Sequence, residues 1–450
     1  MSTLLGDLPR LFPQPDQTIA GIGRAIREGR LTCVDVLRAC LDQVEEWEPK
    51  VHAWVVLDRD GAIEQARALD EELKAGKDRG PLHGIPIGIK DIIDVKGLPT
   101  ACGAKRWADR IAEDDADVVK RLRNAGAVIM GKTVTTPYAW IDPPVTRNPW
   151  NLDRTPGGSS SGSAAAVACG MCYGAIGTQT GGSITRPASF CGVAGMKPDK
   201  MWLWSSKGIK PFARSLDHVG PIARTVEDLR LLFEAMSEKR FLSIEANHYP
   251  PHEGPVKLGR LRGFFDRRAT PAVLAALDDA ARALNDAGAE IVELEDPVDF
   301  ERILRDHRTV MAAEAAREHS DWLDQFPDDY PPRIRDLILE GRTPLALEYF
   351  QAEGRMSSSM FELLKAYEQA GRQFWITPAT LDTAPDPSTT GDPAFNSPWS
   401  YTGLPTVSFP IGLAPDGLPA AVQISGSHLL DQSLLRAAAW CEQVIRTWQQ

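Results

Sequence analysis

The sequence predicts an α/β fold, because segments with helical periodicity alternate with short apolar runs along most of the chain. Glycine, proline and capping residues bound those runs, as they bound real elements. The length of 450 residues is also enough to bury a large core without disulfide or metal staples. In chain order, Thr32 precedes an amphipathic stretch through Cys40, Leu41 and Val44, with Asp35 placed to close a capping box. His52 to Leu57 reads as a strand, and a helix from about Gly61 to Ala75 stops at Gly76, a left-handed position. Ile85, Ile87 and Ile89 alternate with Pro86, Gly88 and Lys90, the period of a strand. Asp117 to Ala125 is a helix and Ala127 to Met130 a strand; Thr225 opens a helix carrying Leu229, Leu232 and Phe233. Thr270-Pro271 starts a helix that ends at Gly288, Ile291 to Leu294 follows as a strand, and the last helix runs from about Gln432 to Arg446. Two Pro-rich loops, Tyr249 to Pro255 and Pro378 to Pro398, are not composed like domain linkers. The expectation is one domain over residues 1–450, with the more charged, helical stretch 301–375 as an insertion or cap.

Composition removes several classes of function. Lys and Arg number 50 against 61 Asp and Glu, a net charge of -11, which argues against nucleic-acid backbones and anionic membranes as partners. No apolar run reaches 18 residues, and the start lacks the basic and apolar regions of a signal peptide, so a cytoplasmic location is expected. The eight histidines are scattered without an H-E-x-x-H, and Cys169 and Cys172 form a lone C-x-x-C in an Ala/Gly-rich stretch. Neither pattern provides a metal site. No metal and no cofactor are expected.

Three motifs compete for the chemistry. Gly126 to Thr133 matches G-x-x-x-x-G-K-T, but a helix precedes it and its interior is an apolar, strand-like run. Asn124-Ala125-Gly126-Ala127 also resembles Asp286-Ala287-Gly288-Ala289, so Gly126 reads as a helix stop rather than a phosphate cradle. Gly158-Ser159-Ser160-Ser161-Gly162 matches a nucleophile elbow on Ser160, with His428 the best-placed histidine, yet a Pro/Asn/Asp-rich loop stands where the strand should be. The third is distributed. Gly84 to Asp91 sets Lys90 at the end of an apolar strand, Thr155 to Ala166 is a Gly/Ser loop entering an Ala-rich helix, and Gly177-Thr178-Gln179-Thr180-Gly181-Gly182-Ser183-Ile184 precedes Arg186-Pro187-Ala188.

In that order these segments resemble the amidase signature family. The resemblance extends to Arg147 through Asn151, Ser215 through Pro221, and Gly403-Leu404-Pro405 through Gln423. It implies a large mixed, mostly parallel twisted central sheet flanked by helices. It also implies a triad of Lys90, Ser159 following a cis peptide bond, and the nucleophile Ser183, 24 positions beyond Ser159. Backbone N–H groups of Thr180, Gly181, Gly182 and Ser183 would form the oxyanion hole. Chemistry supports the assignment: a serine hydroxyl needs a base, and a lysine with a reference pKa of about 10.4 serves only if desolvation or neighbouring cations keep it neutral. Glycines let several backbone N–H groups converge on one point.

The chain departs from the family in the nucleophile loop and again after Lys197-Pro198, where Met201-Trp202-Leu203-Trp204 replaces the usual Gly-containing turn. The usual loop carries Asp at the position of Gln179 and Arg at that of Thr185; here both charges are absent together, so neutral hydrogen bonds are expected to replace an ion pair. Tyr138, Trp140, Gly158, Trp202, Trp204 and Trp399 are candidates to contact an apolar or aromatic substrate. The leading expectation is an acyl-enzyme hydrolase of a small amide, with esters, anilides and carbamates within reach of the same machinery. A homodimer is an open expectation. The alternative is the glutaminase subunit of a tRNA-dependent amidotransferase, and a third is a scaffold that uses the fold without catalysis.

Overall fold

The computed structural model describes residues 9–203, 207–238, 254–343, 346–371 and 374–449. Its strands are β1 (Trp54–Leu57), β2 (Pro86–Lys90), β3 (Val128–Thr133), β4 (Gly174–Gln179), β5 (Ala194–Lys197) and β6 (His218–Ala223), followed by β7 (Lys257–Leu261), β8 (Glu290–Leu294), β9 (Phe374–Pro378), β10 (Thr406–Leu413) and β11 (Pro419–Gly426). They form one sheet of 11 strands in the order β1-β3-β2-β4-β6-β5-β10-β11-β9-β7-β8. The mixed α/β class is as expected, but the balance of pairing is not. β2 with β3 and β4, and β7 with β8 and β9, are parallel. The other six ladders are antiparallel. The reason is local. β10 and β11 are a hairpin closed by Ala414 to Leu418, with Gly417 at φ 77°, so no crossover helix is needed to turn the chain.

Local chemistry builds the predicted helices. Thr32 and Asp35 close both halves of the capping box of the helix Cys33–Val51. The Thr225 side chain accepts from Asp228 N to start Val226–Met236. The helix Arg59–Lys74 ends before Gly76 and Asp117–Asn124 before Gly126, while Pro271–Asp286 ends before Gly288; the three glycines have φ of 79°, 88° and 96°. Gly126 is therefore the stop of a helix, and Gly131, Lys132 and Thr133 lie inside β3 rather than in a phosphate loop.

Isoleucine, valine and alanine side chains of the strands and flanking helices form the main core. A second, aromatic core holds Phe264, Phe265, Phe300, Phe395, Trp375 and Trp399. Within the expected cap 301–375 the helices Phe300–Gln325, Pro332–Gly341 and Ala346–Gln369 pack on this second core, but its last residues, Phe374 and Trp375, belong to β9 of the central sheet. Most of the Pro-rich stretch Tyr249 to Pro255 lies outside the described residues. Among the described residues, no helix is long and apolar enough to cross a membrane.

Candidate active site

Parallel pairing of β2 with β4 brings the C-terminal ends of both strands to one place, where α/β sheets commonly hold ligands. Lys90 ends β2 with no exposed surface. Its Nζ lies 2.7 Å from Ser159 Oγ, 2.8 Å from Thr178 Oγ1 and 3.4 Å from Thr178 O. All three partners are uncharged. Burial therefore pulls its pKa well below the ordinary lysine value, opposed by the negative charge of Asp217.

The Gly158–Ser159 peptide bond is cis. Arg186 Nη2 donates to the Gly158 carbonyl at 2.9 Å and to Thr390 Oγ1 at 3.2 Å. Ser160 is fully buried; its Oγ donates to Thr178 O and accepts from Thr178 N, which fastens the loop to β4. His428 turns its Nδ1 to Asp199 Oδ2 at 2.7 Å. The two residues of the elbow motif are thus each committed elsewhere. Ser160 N also donates to the Ser183 carbonyl at 3.2 Å, tying the residue after Ser159 to the second serine loop.

That second loop leaves β4 and enters the short helix Thr185–Phe190. The amide N–H groups of Thr180, Gly181, Gly182 and Ser183 donate to no protein acceptor among the described residues. Neighbours hold the carbonyls and side chains instead. His307 Nε2 donates to Thr180 O at 3.0 Å, with its ring kept neutral because burial lowers its pKa to about 4. Ser400 Oγ donates to Gly181 O at 3.0 Å. Thr180 Oγ1 donates to Asp217 at 2.6 Å, and Asp217 also accepts from the amides of Phe212 and Ala213. Burial raises the Asp217 carboxyl to about 6.

The neutral replacement of the family's charged pair has a concrete form. Gln179 Oε1 accepts from Ile184 N at 2.9 Å, Thr185 N at 3.0 Å and Thr185 Oγ1 at 3.1 Å, while its Nε2 donates to Ser400. Both residues are fully buried, so one amide side chain closes the turn without charge.

Three cavities meet here, and Ala139 lines all of them. Tyr138 and Ala139 have φ of 51° and 62°, a left-handed pair costing about 1–2 kcal/mol each. A cleft of about 280 Å³ is lined by Ser183, Thr180, Gly181, Gly182, Trp140 and His307, among others. A second cavity of about 150 Å³ is lined by Thr178, Thr180, Asp217 and Phe212, and a third of about 250 Å³ by Tyr138, Trp107 and Trp322. Trp140, stacked on Phe212 at 5.5 Å, therefore faces the Ser183 cleft, and Tyr138 faces the third cavity. Gly158 lines none of them; a Cβ there would meet Thr390 at 2.8 Å. Trp399 corrects the expectation, since it is fully buried in the aromatic core against Phe265, Phe300 and Trp375. Trp204 and the Trp202 side chain lie outside the described residues. Sequence reasoning missed Thr178, Asp217 and His307; Asp217 sat in a quoted motif, and His307 lay in the stretch taken for a cap.

The amidase family model matches residues 35–435. The chain belongs to the amidase family. Among relatives in this family, it is 32% identical to a glutamyl-tRNA(Gln) amidotransferase subunit of Lachnospira eligens, over 95% of this chain and 98% of that protein. It is 34% identical to "Amidase" of Pseudomonas putida, over 96% and 97%. A crystal structure of an amidase superposes with a TM-score of 0.85 at 31% identity, covering 95% of this chain and 99% of that one. Amidase-family membership makes the chain a hydrolase acting on C–N bonds.

Proposed function

We propose that this amidase hydrolyses a small apolar or aromatic amide through an acyl-enzyme on Ser183, with Lys90 as base and Ser159 as relay. The observation that carries this is the fully buried Lys90, whose Nζ has, among the described residues, only the hydroxyls of Ser159 and Thr178 and one carbonyl as partners. A neutral lysine there donates to Thr178 and accepts the Ser159 proton. Ser183 Oγ attacks the substrate carbonyl carbon as its proton passes to Ser159 and the Ser159 proton passes to Lys90. The oxyanion meets the unpaired amides of the loop Thr180 to Ser183. When the tetrahedral intermediate collapses, the C–N bond breaks, Ser159 protonates the departing nitrogen and Lys90 returns a proton to Ser159. Water repeats the sequence to release the acid. Esters and carbamates present the same carbonyl and fit the same steps.

The test is a hydrolysis screen over aliphatic amides, anilides, carbamates, esters and glutamine, run with Ser183→Ala and Lys90→Ala. Each variant is expected to lose about 10⁴- to 10⁶-fold in kcat, and a fluorophosphonate probe to label Ser183. Near-normal hydrolysis by both variants would overturn the assignment. A second reading has the relatives' names behind it: glutaminase activity for a partner complex, as in the relatives named for a tRNA amidotransferase. Glutaminase activity that emerges only with such partner proteins would favour it.

A further inference from the structure

We infer that the substrate carries, besides its scissile amide, a carboxylate that pairs with Lys210 on the Lys90 side of the serine loop. This rests on the amidase reading above and names the substrate class of that same site. Lys210 lines both the cavity bordered by Thr178, Thr180 and Asp217 and the adjoining aromatic one. Its Nζ lies 5.1 Å from the ring centre of Trp107 and has no acidic partner among the described residues. The carboxylates that face these cavities are already engaged. Asp217 is held by Thr180 Oγ1 and two backbone amides. Glu318 is held by Arg214 at 2.8 Å and Arg317 at 3.2 Å.

On the aromatic wall of the third cavity Arg214 is paired with Glu318, whereas Lys210 is a cation with no ion pair among the described residues. A half-buried ammonium beside an aromatic face is less hydrated than one in bulk water, so a carboxylate gains more from meeting it there. The cavities join the serine loop through Thr180 and Ala139. The inferred pairing places the acyl or amine end of a substrate held at Ser183 across this shared wall, at Lys210.

The experiment uses matched anilides. A dicarboxylic acid monoanilide is compared with the anilide of the isosteric branched acid, and a 4-carboxyanilide with the corresponding 4-isopropylanilide, following aniline release. In the wild-type enzyme kcat/KM for one carboxylate member is expected to exceed its neutral partner about 10- to 100-fold, the value of one charge-assisted hydrogen bond. Lys210→Met should erase most of that ratio and Lys210→Arg keep most of it. Added salt should shrink it. Wild-type ratios near one, or equal losses on both members of each pair in Lys210→Met, would overturn the inference. If neutral anilides are hydrolysed in a Ser183-dependent way while the ratio stays near one, only Lys210 has been misassigned. If no amide is hydrolysed in a Ser183-dependent way, the amidase reading falls and this inference falls with it.

Discussion

Lys90 and Lys132 sit near the ends of the adjacent parallel strands β2 and β3, and neither exposes any surface. Lys132 Nζ has the Asp91 carboxylate at 2.9 Å, with Pro99 O and Thr100 Oγ1 completing its shell. Lys90 has hydroxyls and one carbonyl. Asp91 follows Lys90 directly in sequence, yet it pairs with Lys132, because successive residues leave a strand on opposite sides. One lysine is thus a structural cation with its counter-ion; the other has no counter-ion beside it among the described residues. Burial lowers both pKa values, but the Asp91 charge opposes the shift at Lys132, whereas at Lys90 the more distant Asp217 opposes it. Burial alone does not make a lysine a base. The missing carboxylate does.

Replacing each lysine by methionine separates the two roles most sharply. Lys90→Met is expected to fold with unchanged or raised stability and to lose about 10⁴-fold or more in kcat. Lys132→Met strands Asp91 in the interior and is expected to lose about 3–5 kcal/mol of stability, seen as a fall in the urea midpoint, while the folded fraction keeps its turnover. Adding Asp91→Asn to Lys132→Met should recover much of the loss. Equal kinetic damage from both methionines would break the contrast.

The pH dependence sharpens it. If neutral Lys90 is the base, kcat/KM falls as pH drops through its lowered pKa. Asp217→Asn removes the charge that raises that pKa, so the acid limb moves to lower pH. Stability gives an independent sign. Between the lowered folded-state pKa and the unfolded value near ~10.4, the unfolded chain binds more protons, so stability rises with pH. The difference between wild type and Lys90→Met in denaturant titrations across that window should show the rise. A flat difference would mean that Lys90 stays protonated.

A smaller effect is expected at the neutral turn. Gln179→Asp puts a carboxylate where the Ile184 and Thr185 amides can still donate but no cationic side chain donates among the described residues, and it loses the donation to Ser400. A loss of about 1–3 kcal/mol is expected. Thr185→Arg, added to it, should recover part of that loss. Thermal unfolding of the single and double variants measures both.

How much of this was legible depended on whether the cause was local. Caps at Thr32 and Thr225 and stops at Gly76, Gly126 and Gly288 are decided within a few residues, and the sequence shows them. The prevalence of antiparallel ladders differs from the mostly parallel sheet that the resemblance implies, although Asp416-Gly417 between two apolar runs is a hairpin signal. The positions of Lys90, Ser159 and Ser183 were legible because they lie in three recognisable segments. Their supports were not. Thr178 acts through a strand neighbour, His307 reaches Thr180 from 127 residues away, and Ser400 reaches Gly181 from 219. Nothing periodic marks such long-range contacts. Aromatic residues misled for a related reason: a tryptophan reads the same in a core as in a cleft.

Trp140 and Trp399 turn that ambiguity into the smallest effect. Trp140 borders the Ser183 cleft, stacks on Phe212 and has Arg308 at 5.6 Å from its ring. Trp399 meets only the aromatic core and its neighbours, with no exposed surface. Trp140→Ala is expected to lower the kcat/KM ratio of an anilide over an aliphatic amide about 3- to 10-fold, the value of one aromatic contact. Trp399→Phe should leave that ratio alone and register only in thermal unfolding, because it trims a wall that no substrate touches. A selectivity change of equal size in Trp399→Phe would mean that the cleft reads the packing of the core behind it, and that Trp140 does not set substrate choice by contact.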